Sequence, residues 1–149
     1  MECWSCKSNI GEKRISPGTT IMEGKYWLVE HAYPVKIKGW LVIVLKRHEE
    51  ALHNLTTNEF EELAQIEAKL TKILYKVLNC EKEYISCYAE SDHFYHIHFH
   101  VFAKPSDLPS ELKGGKSFEL LKVQKDEAIS AQEIIEFCEA LKAQLSKSE

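Results

Sequence analysis

Residues 96–100 read His96-Ile97-His98-Phe99-His100, inside an aromatic and β-branched run from Tyr95 to Phe102. That composition favours an extended strand, in which side chains two apart share a face. All three histidines therefore fall on one side, spaced on the order of 6.6 Å apart along the strand. Tyr95, Ile97, Phe99 and Val101 take the other side, which reads as a core face. One strand histidine is ordinarily a hydrogen-bonded structural residue. Three in strict alternation ask for more, because burying three imidazoles for packing costs unmet hydrogen bonds and a merely wet face is served by Thr, Lys or Glu. The row offers nucleophile, proton-donor and metal-ligand candidates that titrate near neutrality.

The rest of the chain supplies elements for such a strand to pack with. Tyr26-Trp27-Leu28-Val29 reads as a strand ending before Pro34, and Trp40 to Leu45 as a second, almost wholly apolar strand entered through Gly39. The two are expected to pair, with Lys46-Arg47-His48 closing the second. Thr56 and Glu59 form a capping box before a long amphipathic helix whose stripe is Phe60, Leu63, Ile66, Leu70, Ile73 or Leu74, and Val77. Tyr84 to Tyr88 predicts a third strand, and Glu90-Ser91-Asp92 a tight polar turn into the histidine strand. Ser106 to Lys116, with Pro109 and Gly114-Gly115, reads as a flexible surface loop. Ser130 and Glu133 cap a final helix carrying Ile134, Phe137 or Cys138, Leu141 and Leu145. The expected fold is one α+β domain over 1–149, with a mostly antiparallel sheet of about five strands, one long helix packed on it and a C-terminal helix.

With 149 residues and 44% hydrophobic content the chain has material for a single sizeable core. Lys plus Arg total 19 against 23 Asp plus Glu, a formal charge of -4, so no bulk positive field favours a nucleic-acid partner. No signal-peptide pattern opens the sequence, and no apolar run approaches the roughly 20 residues of a membrane span. A cytoplasmic protein without a membrane partner is expected, with reduced thiols at Cys3, Cys6, Cys80, Cys87 and Cys138. The last three read as small core or boundary residues.

Cys3-Trp4-Ser5-Cys6 has the spacing of a zinc half-site. There is no second C-x-x-C, so histidines must complete a tetrahedral shell, and the candidates are His31, His48, His53, His93 and His96. A redox dithiol and two idle thiols remain the competing readings of that pair.

The run Tyr95-His96-Ile97-His98-Phe99-His100-Val101-Phe102 resembles the signature of the histidine triad superfamily, three histidines alternating with hydrophobic residues. The likeness extends upstream to Gly39-Trp40-Leu41-Val42-Ile43-Val44-Leu45-Lys46-Arg47-His48, similar to the family's second signature strand. The helix after Thr56 and the stretch from Asp107 to Lys116 with Phe118 and Leu120-Leu121 resemble the bacterial branch. The resemblance implies a nucleotide hydrolase acting at the α-phosphate of a nucleoside polyphosphate, phosphoramidate or nucleotidyl conjugate, with purines preferred. His98 would be the nucleophile, attacking in line to give a nucleotidyl-histidine that water resolves. A carbonyl accepting from its Nδ1 would keep Nε2 free. His100 would bond phosphate oxygens or deliver a proton to the leaving group. In zinc-containing relatives the ion is structural, which implies Cys3, Cys6, His48 and His96 as ligands, with His93 the rival for the fourth place and no catalytic metal required.

Several positions depart from the family pattern. Asp92 stands where a phosphate-contacting Gln is common, Ala103-Lys104 where Pro-Arg is common, and Gly39-Trp40 where Gly-His is common. The acidic residue that holds the ribose has no clean counterpart, with Glu30 the nearest. The resemblance thus implies nucleotide contacts from His98, His100, Asp92, Lys104 and Glu30, and a homodimer. Nucleotidyl transfer through the same intermediate, a nucleotide-binding regulatory protein with little turnover, and a catalytic metal site at the histidines are the alternative readings. Isolated His31 and His53 read as solvated residues at element ends. Tyr26, Trp27 and Tyr33 read as core aromatics rather than base-stacking ones.

Overall fold

A computed structural model of the chain describes residues 1–147. Its core is a five-stranded antiparallel sheet of β1 (Met22–Glu23), β2 (Trp27–His31), β3 (Trp40–Leu45), β4 (Lys82–Ser86) and β5 (His98–Lys104), in the order β1-β2-β3-β5-β4. Three helices complete it: α1 (Trp4–Asn9), α2 (Thr57–Leu78) and α3 (Ala131–Lys147). The α+β architecture and the five-strand sheet match the expectation from sequence. No helix among the described residues is long and apolar enough to cross a membrane.

Helix α2 starts where the capping box predicts: Thr56 Oγ1 accepts from Glu59 N at 3.1 Å, and the Glu59 carboxylate accepts from Thr56 N at 2.9 Å. It ends at Asn79 in the left-handed conformation, φ 51. Leu63, Ile66, Leu70, Ile73 and Leu74 are buried beneath the sheet, whereas Phe60, expected on that stripe, is 42% exposed. Phe60 lies in the first turn, where Glu59 beside it takes the inward position and its carbonyl accepts from Trp27 Nε1 at 2.8 Å. In α3 the stripe Ile134, Phe137, Cys138, Leu141 and Leu145 is buried, and Ser130 Oγ accepts from Glu133 N at 3.1 Å. Cys80 is likewise buried and Cys87 half-buried.

The register of β3 against β5 pairs Trp40 with Phe102, Val42 with His100 and Val44 with His98. Alternation then sends Leu41, Ile43, Leu45, Phe99 and Val101 toward α2, and Trp40, Val42, Val44, His98, His100 and Phe102 to the opposite face. Gly39 enters β3 at φ +98, and a Cβ there would meet Leu78 Cδ1 at 2.7 Å, so glycine alone fits.

Three local expectations are corrected. The histidine strand begins at His98 rather than Tyr95, because Ile97 N donates to Glu49 O and His96 N to Phe94 O instead of extending the ladder. Tyr95 is therefore exposed at 42%, outside the core. The stretch from Ser106 to Lys116 is partly built of 3-10 turns, Ser110–Leu112 and Gly114–Leu121, and the second brings Phe118 back over the sheet. His31 is 1% exposed rather than solvated: its Nδ1 bonds Ala32 O at 2.8 Å and its Nε2 accepts from Gly39 N at 3.0 Å.

Candidate active site and metal centre

The beginning of α1, the turn after β3 and the residue two before β5 meet in one cluster. Cys3, Cys6, His48 and His96 each present a ligand atom, all within 4.8 Å of one another. Cys3 Sγ lies 3.4 Å from His96 Nδ1, Cys6 Sγ 3.4 Å from His48 Nδ1 and 3.5 Å from His96 Nδ1. A tetrahedral zinc with bonds of about 2.3 Å to sulfur and about 2.0 Å to nitrogen sets sulfur and nitrogen about 3.5 Å apart, so the donor set fits that ion. Burial, then the neighbouring Cys3, push the Cys6 thiol up to about 11, so a cation beside Cys6 is what would bring it to thiolate.

The ring nitrogens facing away from the cluster are also occupied. His96 Nε2 bonds Leu45 O at 2.6 Å and His48 Nε2 bonds the Glu50 carboxylate at 3.1 Å, which leaves each Nδ1 aimed at the sulfurs. Asn9 Nδ2 donates to Leu45 O at 2.9 Å, tying α1 to the end of β3. Arg47 forks onto Glu59 through two 2.9 Å bonds and fixes the turn that carries His48. His93 stands apart: its ring stacks on Trp4 at 4.2 Å and its Nδ1 bonds Glu2 O, so His96 rather than His93 completes the set. His31 and His53 lie outside it as well.

Beyond the cluster the same strand carries His98 and His100, their ring centroids 5.0 Å apart. His98 Nδ1 lies 2.7 Å from His96 O. A carbonyl only accepts, so that nitrogen carries the proton and Nε2 keeps its lone pair. His100 has the reverse arrangement. Its Nδ1 accepts from Trp40 Nε1 at 2.9 Å, and an indole N–H only donates, so the His100 proton sits on Nε2. Burial lowers the pKa of both rings, against the pull of the His96 carbonyl at His98; at His100 burial, then His98, bring it down to about 3. Both are neutral at pH 7.

Two cavities share His98 and His100 as lining. The larger, about 630 Å³, runs between α1, β2, β3 and the Gly114–Leu121 turns. Its walls include Val42, Val44, Tyr33, Phe94 and Leu121, and Lys7, Lys13, Arg14, Lys122 and Lys125 also line it. The smaller, about 360 Å³, is bounded by Tyr88, Glu90, Ser91, Gly115 and Phe118. An apolar, aromatic-walled cavity with cations around a free imidazole lone pair suits a flat organic group joined to a phosphate.

Not every residue expected at the nucleotide lies here. Glu30 lines the larger cavity, but its carboxylate is taken by Arg14 at 2.8 Å and Thr20 at 2.7 Å, so it presents Arg14 rather than a free acceptor. Asp92 is exposed in the turn before the histidines and lines neither cavity; Ser91 beside it lines both. Lys104 is also absent from both linings. It is 3% exposed at the far end of β5, paired with Glu81 from the segment leading into β4. Neither Asp92 nor Lys104 is therefore brought to the two cavities beside His98 and His100. Trp40 and Arg14 were not singled out from sequence for a role in the site. The alternation of β3 places Trp40 on the face of Val42 and Val44, a signal that was present, whereas nothing near Arg14 marks it.

The family model described as scavenger mRNA decapping enzyme C-term binding matches residues 5–114. Among solved structures the chain is similar to a zinc-bound histidine triad family protein from Mycobacterium smegmatis, with TM-score 0.70 and 17% identity over 99% of this chain and 97% of that one. It is similar to a histidine triad protein from Bradyrhizobium japonicum, with TM-score 0.71 and 17% identity over 96% and 98%. It also resembles the Plasmodium falciparum diadenosine triphosphate hydrolase, with TM-score 0.65 and 11% identity over 86% and 76%. A search of curated proteins found no match.

Proposed function

The chain belongs to the family of that matching model, within the histidine triad superfamily, and from that premise we propose that it is a nucleotide hydrolase that attacks an α-phosphate through His98. The observation that carries the reading is the bond from His98 Nδ1 to His96 O, 2.7 Å long, which leaves the Nε2 lone pair at the junction of two cavities. That lone pair forms a bond to phosphorus as the bond to the leaving group breaks, giving a nucleotidyl-histidine; water then displaces the ring. The nucleoside sits in the larger cavity, against Tyr33, Phe94 and Val42, with Arg14 and the lysines drawing in the phosphates. His100, with its proton on Nε2, donates to a phosphoryl oxygen as charge builds there.

Cys3, Cys6, His48 and His96 would hold zinc as a closed four-ligand centre. Bound there, the ion clamps α1, the turn after β3 and the approach to β5. No reaction step is assigned to it. Since α1 also contributes Trp4, Ser5 and Ser8 to the larger cavity, the clamp shapes a wall of the substrate site. The reading takes the protein to be cytoplasmic and a homodimer, the latter checked by light scattering on the eluting species.

Single-turnover incubation with α-phosphate-labelled ADP and GDP, quenched in acid and mapped, tests the reaction. Label on His98 that chases into free nucleoside monophosphate is the expected result. Nucleotide bound without covalent label in the wild type removes the nucleotidyl-histidine, and label chased only to an acceptor other than water makes the enzyme a transferase.

A further inference from the structure

We infer that this site is limited to leaving groups that depart as anions without taking a proton, phosphoanhydrides foremost, and that Trp40 sets the limit as a positioning residue by fixing His100 as a hydrogen-bond donor. The inference rests on the α-phosphate reading above and narrows its substrate class.

The argument begins at the indole. Trp40 Nε1–H occupies the Nδ1 lone pair of His100 at 2.9 Å. In the neutral ring the proton is then on Nε2, and giving it up would leave an imidazolate, a form out of reach near pH 7. His100 can act as an acid only as imidazolium, whose Nδ1–H would point at the indole N–H, donor against donor. The indole has no room to turn aside. Trp40 is 1% exposed, stacked on Phe102 at 4.6 Å and edge-on to Phe118 at 5.3 Å. Phe118 also closes on His100 itself at 4.9 Å, and among the described residues no carboxylate is bonded to that ring to favour its charged form. Burial works in the same direction.

The chemistry follows from that donor-only histidine. His98 Nε2 forms the N–P bond while the bridging P–O bond breaks, and its electron pair leaves on a phosphate oxygen that is a stable anion at neutral pH. His98 keeps its Nδ1–H on His96 O, so the intermediate is a cationic ring. Water attacks phosphorus, releases its proton to solvent, and the ring departs as neutral imidazole. A P–N or alkyl P–O bond differs at the first step, because nitrogen or an alkoxide must take a proton as it leaves and His100 has none to give.

The test has two arms on the zinc-loaded full chain. Nitrogen-15 NMR of the histidine-labelled wild type, assigned with His100→Asn, reads the tautomer directly: His100 protonated on Nε2 alone at pH 7 is expected, and a proton on Nδ1 overturns the inference. In parallel, kcat and KM are measured for an adenosine 5′-polyphosphate and for AMP joined to an alkylamine. The anhydride should be favoured at least 100-fold in kcat/KM, and Trp40→Phe and Trp40→His should each narrow that ratio at least tenfold through kcat on the amine conjugate, with KM little moved. Comparable cleavage of both substrates by the wild type overturns the leaving-group limit while His98 labelling still stands. Absence of label on His98 from either substrate sinks the α-phosphate reading and this inference with it. Should the Trp40 variants fail to fold, the wild-type tautomer and substrate ratio decide alone.

Discussion

His96 and His98 are two residues apart, yet one ring is committed to a metal cluster and the other to a cavity. What separates them is which nitrogen a backbone carbonyl claims. At His96 it is Nε2, on Leu45 O, so Nδ1 faces the sulfurs; at His98 it is Nδ1, on His96 O, so Nε2 faces the cavities. His100 differs again, because its partner is the Trp40 donor and the free position carries a proton. His31 completes the series with both nitrogens bonded and neither left for chemistry. The second hydrogen bond thus sets which nitrogen each imidazole offers, and on the proposed reading that makes His96 a ligand, His98 a nucleophile and His100 a donor, with His31 left as a structural post.

The most direct way to break this comparison is to remove the free lone pair. His98→Asn should lower kcat/KM on the order of 10⁵-fold, because the covalent route is lost altogether, while zinc content and thermal unfolding stay near wild type. Turnover within tenfold of wild type would show that the lone pair is idle. The matching change at the metal end is Cys6→Ser. It should cut zinc from about one per chain to a small fraction and cost about 3–5 kcal/mol in urea unfolding, since the cluster joins three segments distant in sequence. Unchanged zinc by elemental analysis after that substitution would remove the metal from the comparison.

His31 sharpens the contrast through pH. Its pKa is lowered from 6.5 to about 4 by burial, against the pull of the Ala32 carbonyl. Between those values the unfolded chain takes up a proton that the folded chain refuses, so the contribution is fully present above pH 6.5 and is lost as pH falls toward 4. The ring is almost wholly buried, and the loss amounts to about 3 kcal/mol. His31→Gln is less stable than wild type at pH 7, and the gap should close by that amount at pH 4, read from urea midpoints at each pH. A gap independent of pH would mean that His31 takes its proton while folded.

Much of this was legible beforehand because periodicity carries it. The stripes of α2 and α3 report which face of each helix is buried, and the Thr56-Glu59 pair marks a helix start that the hydrogen bonds bear out. The C-x-x-C spacing asked for histidines without saying which, the family resemblance implied His48 and His96, and only folding could assemble the cluster, since Cys3 and His96 are 93 residues apart. What periodicity could not carry were contacts set by the register between β3 and β5 and by returning loops. The Trp40 bond to His100 depends on the first, and Phe118 over His100 on the second. The placements of Asp92 and Lys104 were hidden for a related reason: matching positions to a family pattern says nothing about turn geometry or about Glu81 arriving from another segment.

The smallest expected effect tests whether the second hydrogen bond matters at the metal end as it does at the cavity. Glu50 lies two residues past His48 and accepts from its Nε2 at 3.1 Å, an exposed contact that touches no other member of the cluster. In Glu50→Gln the amide oxygen still accepts that proton, but without the charge that makes the imidazole a stronger ligand, so zinc affinity in a competition titration with a chelator should fall about tenfold. Glu50→Ala, with no acceptor, should fall further and free the ring to turn. His98 labelling should be unaffected by either change at saturating zinc, because the carbonyl of His96 that orients His98 belongs to the backbone and not to the outer hydrogen bond of His48. If Glu50→Ala binds zinc as tightly as wild type, the orientation of His48 is set by the Arg47–Glu59 fork alone, and the rule drawn from His96, His98 and His100 stops short of the exposed end of the cluster.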